Sequence, residues 1–285
     1  MAVARALQAA SAALGRNPIV VGIALALSLF QLPTQLAGVA GPDVSTAVGA
    51  VSSVAALLAA PFVFGGLLGT AAEALDGTTG LGTFISRGKR HYLSMLGAYL
   101  LLVGALIAFW FVASLASLAV VAALGLLSGG LSGSASPMFV ATFLAGTGVF
   151  VLVLFVPLFF VQFYGQAIVL DGASAVSGFK RSIGLVRRNL VSVLGYSVLV
   201  FAGGLVFGVL SSVPSTLLSL QATRVPLSVP LPDLALPVVV ALVVIGDVLF
   251  GLLGSLFVVF SVAFYRTLRA TGDADDPPSA QGTVA

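Results

Sequence analysis

Residues 87–120 read RGKRHYLSMLGAYLLLVGALIAFWFVASLASLAV. Three cations and a histidine are followed at once by an apolar run that continues from Tyr92 to Leu127. As an α-helix those 36 residues extend about 54 Å at ~1.5 Å per residue. The hydrocarbon core of a bilayer is only ~30 Å thick, so such a helix has to tilt, kink or project from the membrane. Water cannot solvate a surface of this kind, and the rest of the chain repeats the pattern.

The 285 residues are 59% hydrophobic and 7% charged, far below the roughly one quarter charged that is usual in soluble domains. Mean hydropathy is +1.19. Six long apolar stretches can be placed, near 18–39, 47–72, 92–127, 138–169, 190–213 and 236–266. They are continuous and rich in Leu, Val and Ala rather than alternating, which predicts helices and argues against a barrel. Pro61 and Pro157 are expected to kink the second and fourth. The fold class is therefore all-α, a polytopic integral membrane bundle of six transmembrane helices.

Orientation follows from the cations. Eleven of the twelve Lys and Arg residues cluster at Arg5 and Arg16, at Arg87, Lys89 and Arg90, at Lys180, Arg181, Arg187 and Arg188, and at Arg266 and Arg269. The twelfth is Arg224. Under the positive-inside rule, both termini lie on the cytoplasmic side of the cell membrane. The outer loops are then 40–46, 128–137 and a proline-rich, non-helical 214–235. Residues 271–285, with Asp273, Asp275 and Asp276 beside Pro277 and Pro278, read as a disordered acidic cytoplasmic tail. The run from Ile19 to Phe30 has some character of a secretory signal, but its long lead argues against cleavage.

The single membrane domain, 1–270, contains a repeat. Leu75-Asp76-Gly77 returns as Leu170-Asp171-Gly172, and Lys89-Arg90-His91 through Leu96-Gly97 aligns with Arg187-Arg188-Asn189 through Leu194-Gly195. Gly15-Arg16-Asn17-Pro18 is a fainter third copy, which places His91, Asn189 and Asn17 at one position. The units are 1–72, 73–170 and 171–270, each a short polar helix followed by a two-span hairpin, so that successive copies share one orientation. In the third unit Val176, Phe179, Ile183, Val186 and Leu190 recur every three or four residues, away from Lys180, Arg181, Arg187 and Arg188. That pattern predicts an amphipathic interfacial helix whose cations hold anionic headgroups. In unit one Val3, Leu7 and Leu14 mark a weaker apolar stripe, and Asp76 and Asp171 are expected to cap the helices that follow them.

Asp247 is the sharpest candidate for chemistry. It lies in VVIGDVLF, well inside the last apolar stretch, where an ionised carboxylate costs about 2.5–3.5 kcal/mol on insertion scales. Gln31 and Gln35, with Thr34, and Gln162 and Gln166, with Tyr164, are further polar residues that suit a cavity lining. Small-residue pairs at Gly65/Gly69, Gly125/Gly129 and Gly204/Gly208 suit close helix packing. With no Cys and one His, thiol chemistry, disulfides and Cys- or His-rich metal sites are excluded, and no cofactor is expected. There is no phosphate-binding loop, His-Glu-x-x-His or Gly-x-Ser-x-Gly motif. Nucleic acid is not an expected partner; the basic residues sit at membrane edges.

At Ile168–Gly172, then Ser177-Gly178-Phe179-Lys180-Arg181-Ser182 and Leu185–Asn189, the chain resembles the membrane domain fused to some glycerophosphodiester phosphodiesterases. It is similar there to stand-alone six-span proteins of bacteria and archaea, and the acidic tail looks like salt-adapted archaeal sequence. The resemblance is clearest over 150–215. It implies a multi-helix membrane domain and no reaction, since the spans leave no room for the soluble hydrolase. The expected function is a non-enzymatic, membrane-organising or lipid-interacting scaffold. The alternative is a transporter or channel for a small or lipidic substrate, using Asp247 and its polar neighbours.

Overall fold

The computed structural model describes residues 2–37, 42–127, 137–223 and 236–275. Helix is the only regular structure among them. The order is α1 (Ala2–Arg16), α2 (Pro18–Leu29), α3 (Leu32–Ala37), α4 (Pro42–Asp76), α5 (Leu81–Leu127), α6 (Pro137–Val161), α7 (Tyr164–Asp171), α8 (Ala175–Arg188), α9 (Leu190–Thr223) and α10 (Leu236–Asp275).

Five stretches are long and apolar enough to cross a membrane: Pro18–Ala37, Asp43–Asp76, Leu81–Val120, Leu144–Asp171 and Val240–Thr271. Helix α8 and the described start of α9 meet at a 106° bend and make a sixth if counted as one broken span. The fold is thus all-helical with five to six such elements. The expected first span is broken at Phe30–Gln31. The expected fourth is broken at Gln162–Phe163, five residues beyond Pro157, which itself sits inside α6. Pro61 likewise sits within a continuous α4. The Tyr92 hydroxyl donates to the Leu58 carbonyl at 3.1 Å, one residue along from the carbonyl that Pro61 leaves without an amide partner.

Several predicted boundaries are corrected. Helix α4 begins at Pro42, inside the expected first loop, and α9 runs through Pro214 to Thr223, inside the expected third. Residues 271–275 continue α10 rather than opening a disordered tail. In each case the flanking helix simply propagates, because adding a residue to a formed helix is far easier than starting one. Residues 38–41, 128–136, 224–235 and 276–285 lie outside the described ones.

The packed core is concentrated at the end of the bundle that carries the arginines. Ala6, Ala10 and Ala13 of α1, Leu68, Ala71 and Ala74 of α4, Ile168 of α7, Val186 of α8 and Leu268 of α10 belong to one buried cluster. An aromatic stack runs through it: Tyr196 of α9 lies 4.6 Å from Phe264 at 9° between planes and 5.2 Å from Phe260, with Phe163 at 5.3 Å. Helix α1 turns its alanines inward; of the expected Val3–Leu7–Leu14 stripe, Val3 and Leu14 pack against the core and Leu7 is exposed. Small side chains let α1 approach closely. Elsewhere apolar side chains face outward: Leu118, Leu144 and Leu205 are all at least 60% exposed, as is compatible with a hydrocarbon surrounding.

The α4–α5 hairpin is an extensive helix pair that depends on glycine. A Cβ at Gly66 would lie 2.7 Å from both the ring and the backbone oxygen of Phe84, and one at Gly88 would lie 2.8 Å from Phe62. Gly65 and Gly69 also face α5, near Met95 and Arg87, so this small-residue pair is an interface. A Cβ at Gly204 would meet nothing within 4 Å; on α9 a close contact is made by Gly203 against Phe257. Gly129 lies outside the described residues. Gly66→Ala is expected to destabilise the detergent-solubilised protein by about 1–3 kcal/mol, since the obstruction is backbone. Gly104→Ala, with open space around it, is the control; thermal unfolding of the two variants makes the comparison.

Candidate functional site

Helix α7 ends at Asp171 because Gly172 takes a left-handed conformation (φ 66°), which glycine adopts without a Cβ clash. The Ala173 amide returns to the Ala167 carbonyl at 3.3 Å, and Ser174 starts α8. Asp171 is therefore the last residue of one helix, not the cap of the next. Asp76 likewise ends α4. This overturns the expected capping: the turn after each aspartate uses several residues, so the carboxylate falls at the negative end of the preceding helix dipole. That position is unfavourable unless a cation is supplied.

Helix α10 supplies it twice. Arg266 grips both oxygens of Asp76, at 2.6 and 3.0 Å, and donates to the Ala72 carbonyl at 3.0 Å. Arg269 pairs with Asp171 Oδ1, and the Tyr265 hydroxyl donates to Oδ2 at 2.6 Å. Arg181 of α8 stands 3.5 Å from Oδ2 and from the Asp171 carbonyl. The side chain of Asp171 is only 7% exposed, whereas those of Arg181 and Arg269 are 53% and 49% exposed. A covered carboxylate thus holds two guanidinium groups that face outward. Beside them opens a cleft of about 330 Å³, lined by Asp171, Arg181, Gly184, Leu185, Arg188, Asn189, Tyr265 and Arg269.

Helix α8 is held against this end by its small face. Of the expected apolar stripe, Val186 is buried and Phe179 packs on the core, with Gly178 and Ser182 buried beside them, while Val176 is 54% exposed. The stripe is rotated because Ser182 serves the break between α6 and α7: its hydroxyl donates to the Phe160 carbonyl at 2.9 Å and accepts from the Phe163 amide at 3.1 Å. Lys180, Arg181, Arg187 and Arg188 are all on the exposed side. Arg181 and Arg188 line the cleft, whereas Lys180 and Arg187 do not.

The other polar candidates separate into two places. Asp247 is 8% exposed on α10, and its Oδ1 accepts from Gln35 Nε2 of α3 at 2.8 Å. Its Oδ2 has no partner among the described residues. Gln31 is exposed and marks the turn between α2 and α3. Thr34 bonds Ser52 instead, at 3.0 Å. Gln162 bonds the Phe159 carbonyl and accepts from Ser197. Gln166 is buried, with its amide nitrogen 3.2 Å from Ser261 of α10. Ser261 lies fourteen residues from Asp247, about 21 Å along the helix. The candidates therefore do not converge on one cavity.

Sequence reasoning missed Tyr265, Ser182 and the role of Asn17. The Asn17 amide donates to the carbonyls of Ala13, Ala74 and Gly77 at 2.9, 3.2 and 2.9 Å and accepts from the Thr79 amide at 2.8 Å, tying the α1–α2 break to the α4–α5 turn. A usable signal for Tyr265 and Arg269 was their spacing of four, which puts both on one helical face. No group of three or more potential metal ligands occurs among the described residues.

Long helices apolar enough to cross a membrane, a core gathered at one end and a cationic cleft at that same end make an all-helical architecture compatible with a membrane protein. The chain belongs to the family described as a domain of unknown function, DUF7847, whose model matches residues 1–268. Comparison with curated proteins and with solved structures gives no match.

The two aspartates predict different costs. Asp171→Ala strands Tyr265 and Arg269 and is expected to cost about 1.5–3 kcal/mol, as for a hydrogen-bonded charge. Asp76, 69% exposed, is expected to cost less than about 1 kcal/mol when replaced by Ala. Unfolding in one detergent checks the order, and raised salt is expected to narrow the Asp76 effect further.

Proposed function

We propose that the protein is a non-enzymatic, multi-pass protein of the cell membrane that organises lipid by holding anionic headgroups at its cytoplasmic, basic end. The observation that carries this reading is the 106° turn between α8 and α9. With α9 standing in the bilayer, α8 lies nearly flat at its surface, a position that suits a helix with Lys180, Arg181, Arg187 and Arg188 exposed. Near an anionic leaflet each such residue contributes about 1 kcal/mol of attraction. The three-unit reading fits this arrangement. Asn17 and Asn189 each bond the carbonyl four residues back, at 2.9 and 3.0 Å, and each ends a short helix before an apolar one. His91, the third member, lies within continuous α5, so the second unit fuses its two parts. The experiment replaces Lys180, Arg181, Arg187 and Arg188 with Gln and weighs the lipid retained by protein purified from mixed anionic and zwitterionic nanodiscs. Loss of anionic enrichment is expected; unchanged enrichment defeats the reading.

A second reading, transport, is favoured by one observation, the buried Asp247 oxygen without a partner beside Gln35. An intramembrane carboxylate of that kind suits a transient ion or polar ligand. On this reading liposomes containing the protein pass H⁺, Na⁺ or K⁺, and Asp247→Asn abolishes the flux with expression intact. Tight liposomes with the unaltered chain remove it.

A further inference from the structure

We propose that Asp171, although an anion, is a positioning residue for anionic-lipid binding: it ties Arg181, and with it α8, to α10, so that the surface helix presents its cations to headgroups. This deepens the lipid reading above and rests on it. That reading needs only cations near a charged surface, whereas this one needs those cations held in place by a particular carboxylate.

The carboxylate joins two helices. On α10, Arg269 pairs with Asp171 Oδ1 and the Tyr265 hydroxyl donates to Oδ2 at 2.6 Å. On α8, Arg181 reaches the same Oδ2 and the Asp171 carbonyl, each at 3.5 Å. The Asp171 side chain is only 7% exposed, whereas that of Arg181 is 53% exposed. Asp171 therefore acts on a headgroup through the partners it holds. The remaining anchors of α8 leave this contact a task. A Cβ at Gly178 would lie 2.9 Å from Ile168 and 3.2 Å from the Tyr164 carbonyl oxygen, and the next buried residue, Ser182, bonds the break between α6 and α7. Both anchors lie on one face of α8. Arg181 precedes Ser182 and so projects ~100° round the helix from it. A helix gripped along one face can still roll; a contact at another angle, to another helix, resists the roll. Pre-ordering one long side chain in this way favours binding by roughly 2- to 12-fold.

The other Leu-Asp-Gly aspartate is a built-in comparison. Asp76 also ends a helix and is also held by α10, through Arg266 at 2.6 and 3.0 Å, but that contact joins α4 to α10 and does not involve α8. Removing either carboxylate charge makes the basic end one unit more positive, which by charge alone strengthens attraction to an anionic leaflet. Positioning predicts that Asp171 departs from this rule and Asp76 obeys it.

The test uses the full-length protein and weighs the anionic lipid it retains from nanodiscs of mixed phosphatidylglycerol and phosphatidylcholine. Asp171→Asn is expected to lower the anionic enrichment at least about threefold, the effect of freeing one long side chain. Asp76→Asn is expected to leave the enrichment unchanged or to raise it. In an Arg181→Gln background, Asp171→Asn is expected to lower it no further, a result that a general loosening of the fold does not give. An Asp171→Asn protein that keeps or gains enrichment overturns the positioning role. So does an equal loss in Asp76→Asn, or an equal loss in the Arg181→Gln background. Should Asp171→Asn not fold, Tyr265→Phe decides, since it loosens the same carboxylate without altering any charge: lowered enrichment supports the role and the parent's enrichment overturns it. If the fourfold Gln variant described above keeps the parent's enrichment, the lipid reading fails and the positioning role with it. If that variant loses enrichment while Asp171→Asn does not, only the positioning role fails. Unfolding curves in detergent show which variants are folded.

Discussion

A break in a helix sets free amide and carbonyl groups, and next to hydrocarbon no water takes them up. Much of this structure follows from where the chain breaks. At Asn17 the side-chain amide collects three carbonyls and an amide from α1, α4 and the α4–α5 turn. At Gln162–Phe163 the groups released are met by Ser182 from α8. At Asn189 the amide closes on Leu185. In the first two cases the satisfying group comes from, or reaches to, a distant part of the chain, so repairing the backbone also fixes tertiary structure. The core forms around those repairs. Long uninterrupted α5 and α6 need no such help and extend away from it with their apolar side chains exposed.

Charge follows the same logic. A carboxylate ending a helix meets a negative dipole, and both Asp76 and Asp171 do so. One helix, α10, answers both with arginines three residues apart, Arg266 and Arg269. The exposed pair contributes little by itself. The Asp171 group matters more, because it is covered and because its partners come from α8 and α10. It ties α8 to α10 beside the cleft that both line.

The apolar stretches were legible in the sequence because hydropathy over twenty residues is a strong signal that tertiary contacts scarcely modify. The broken junctions were half legible. Asn17 and Asn189 stood out as matched positions, yet nothing local said that His91 would leave its helix intact. Helix ends were misread at Pro42, Thr223 and Asp275, since a formed helix propagates into neighbouring residues of loop-like composition. The rotated face of α8 was invisible: its apolar spacing pointed to Val176, whereas a hydrogen-bond demand from residues 160–163 brought Ser182 inward. The Asp247–Gln35 pair could be named as polar residues but not paired, because 212 positions separate them.

These two polar places also bear on how the molecule is used. Asp247 and the Tyr265–Arg269 segment belong to one helix, roughly 27 Å apart along it. Between them α10 packs through Gly251 against Leu25 and Ser28, and through Phe257 against Gly203. A glycine contact of that closeness resists sliding, since any shift drives backbone into side chain. These contacts seat α10 against α2 and α9 between Asp247 and the Tyr265–Arg269 segment.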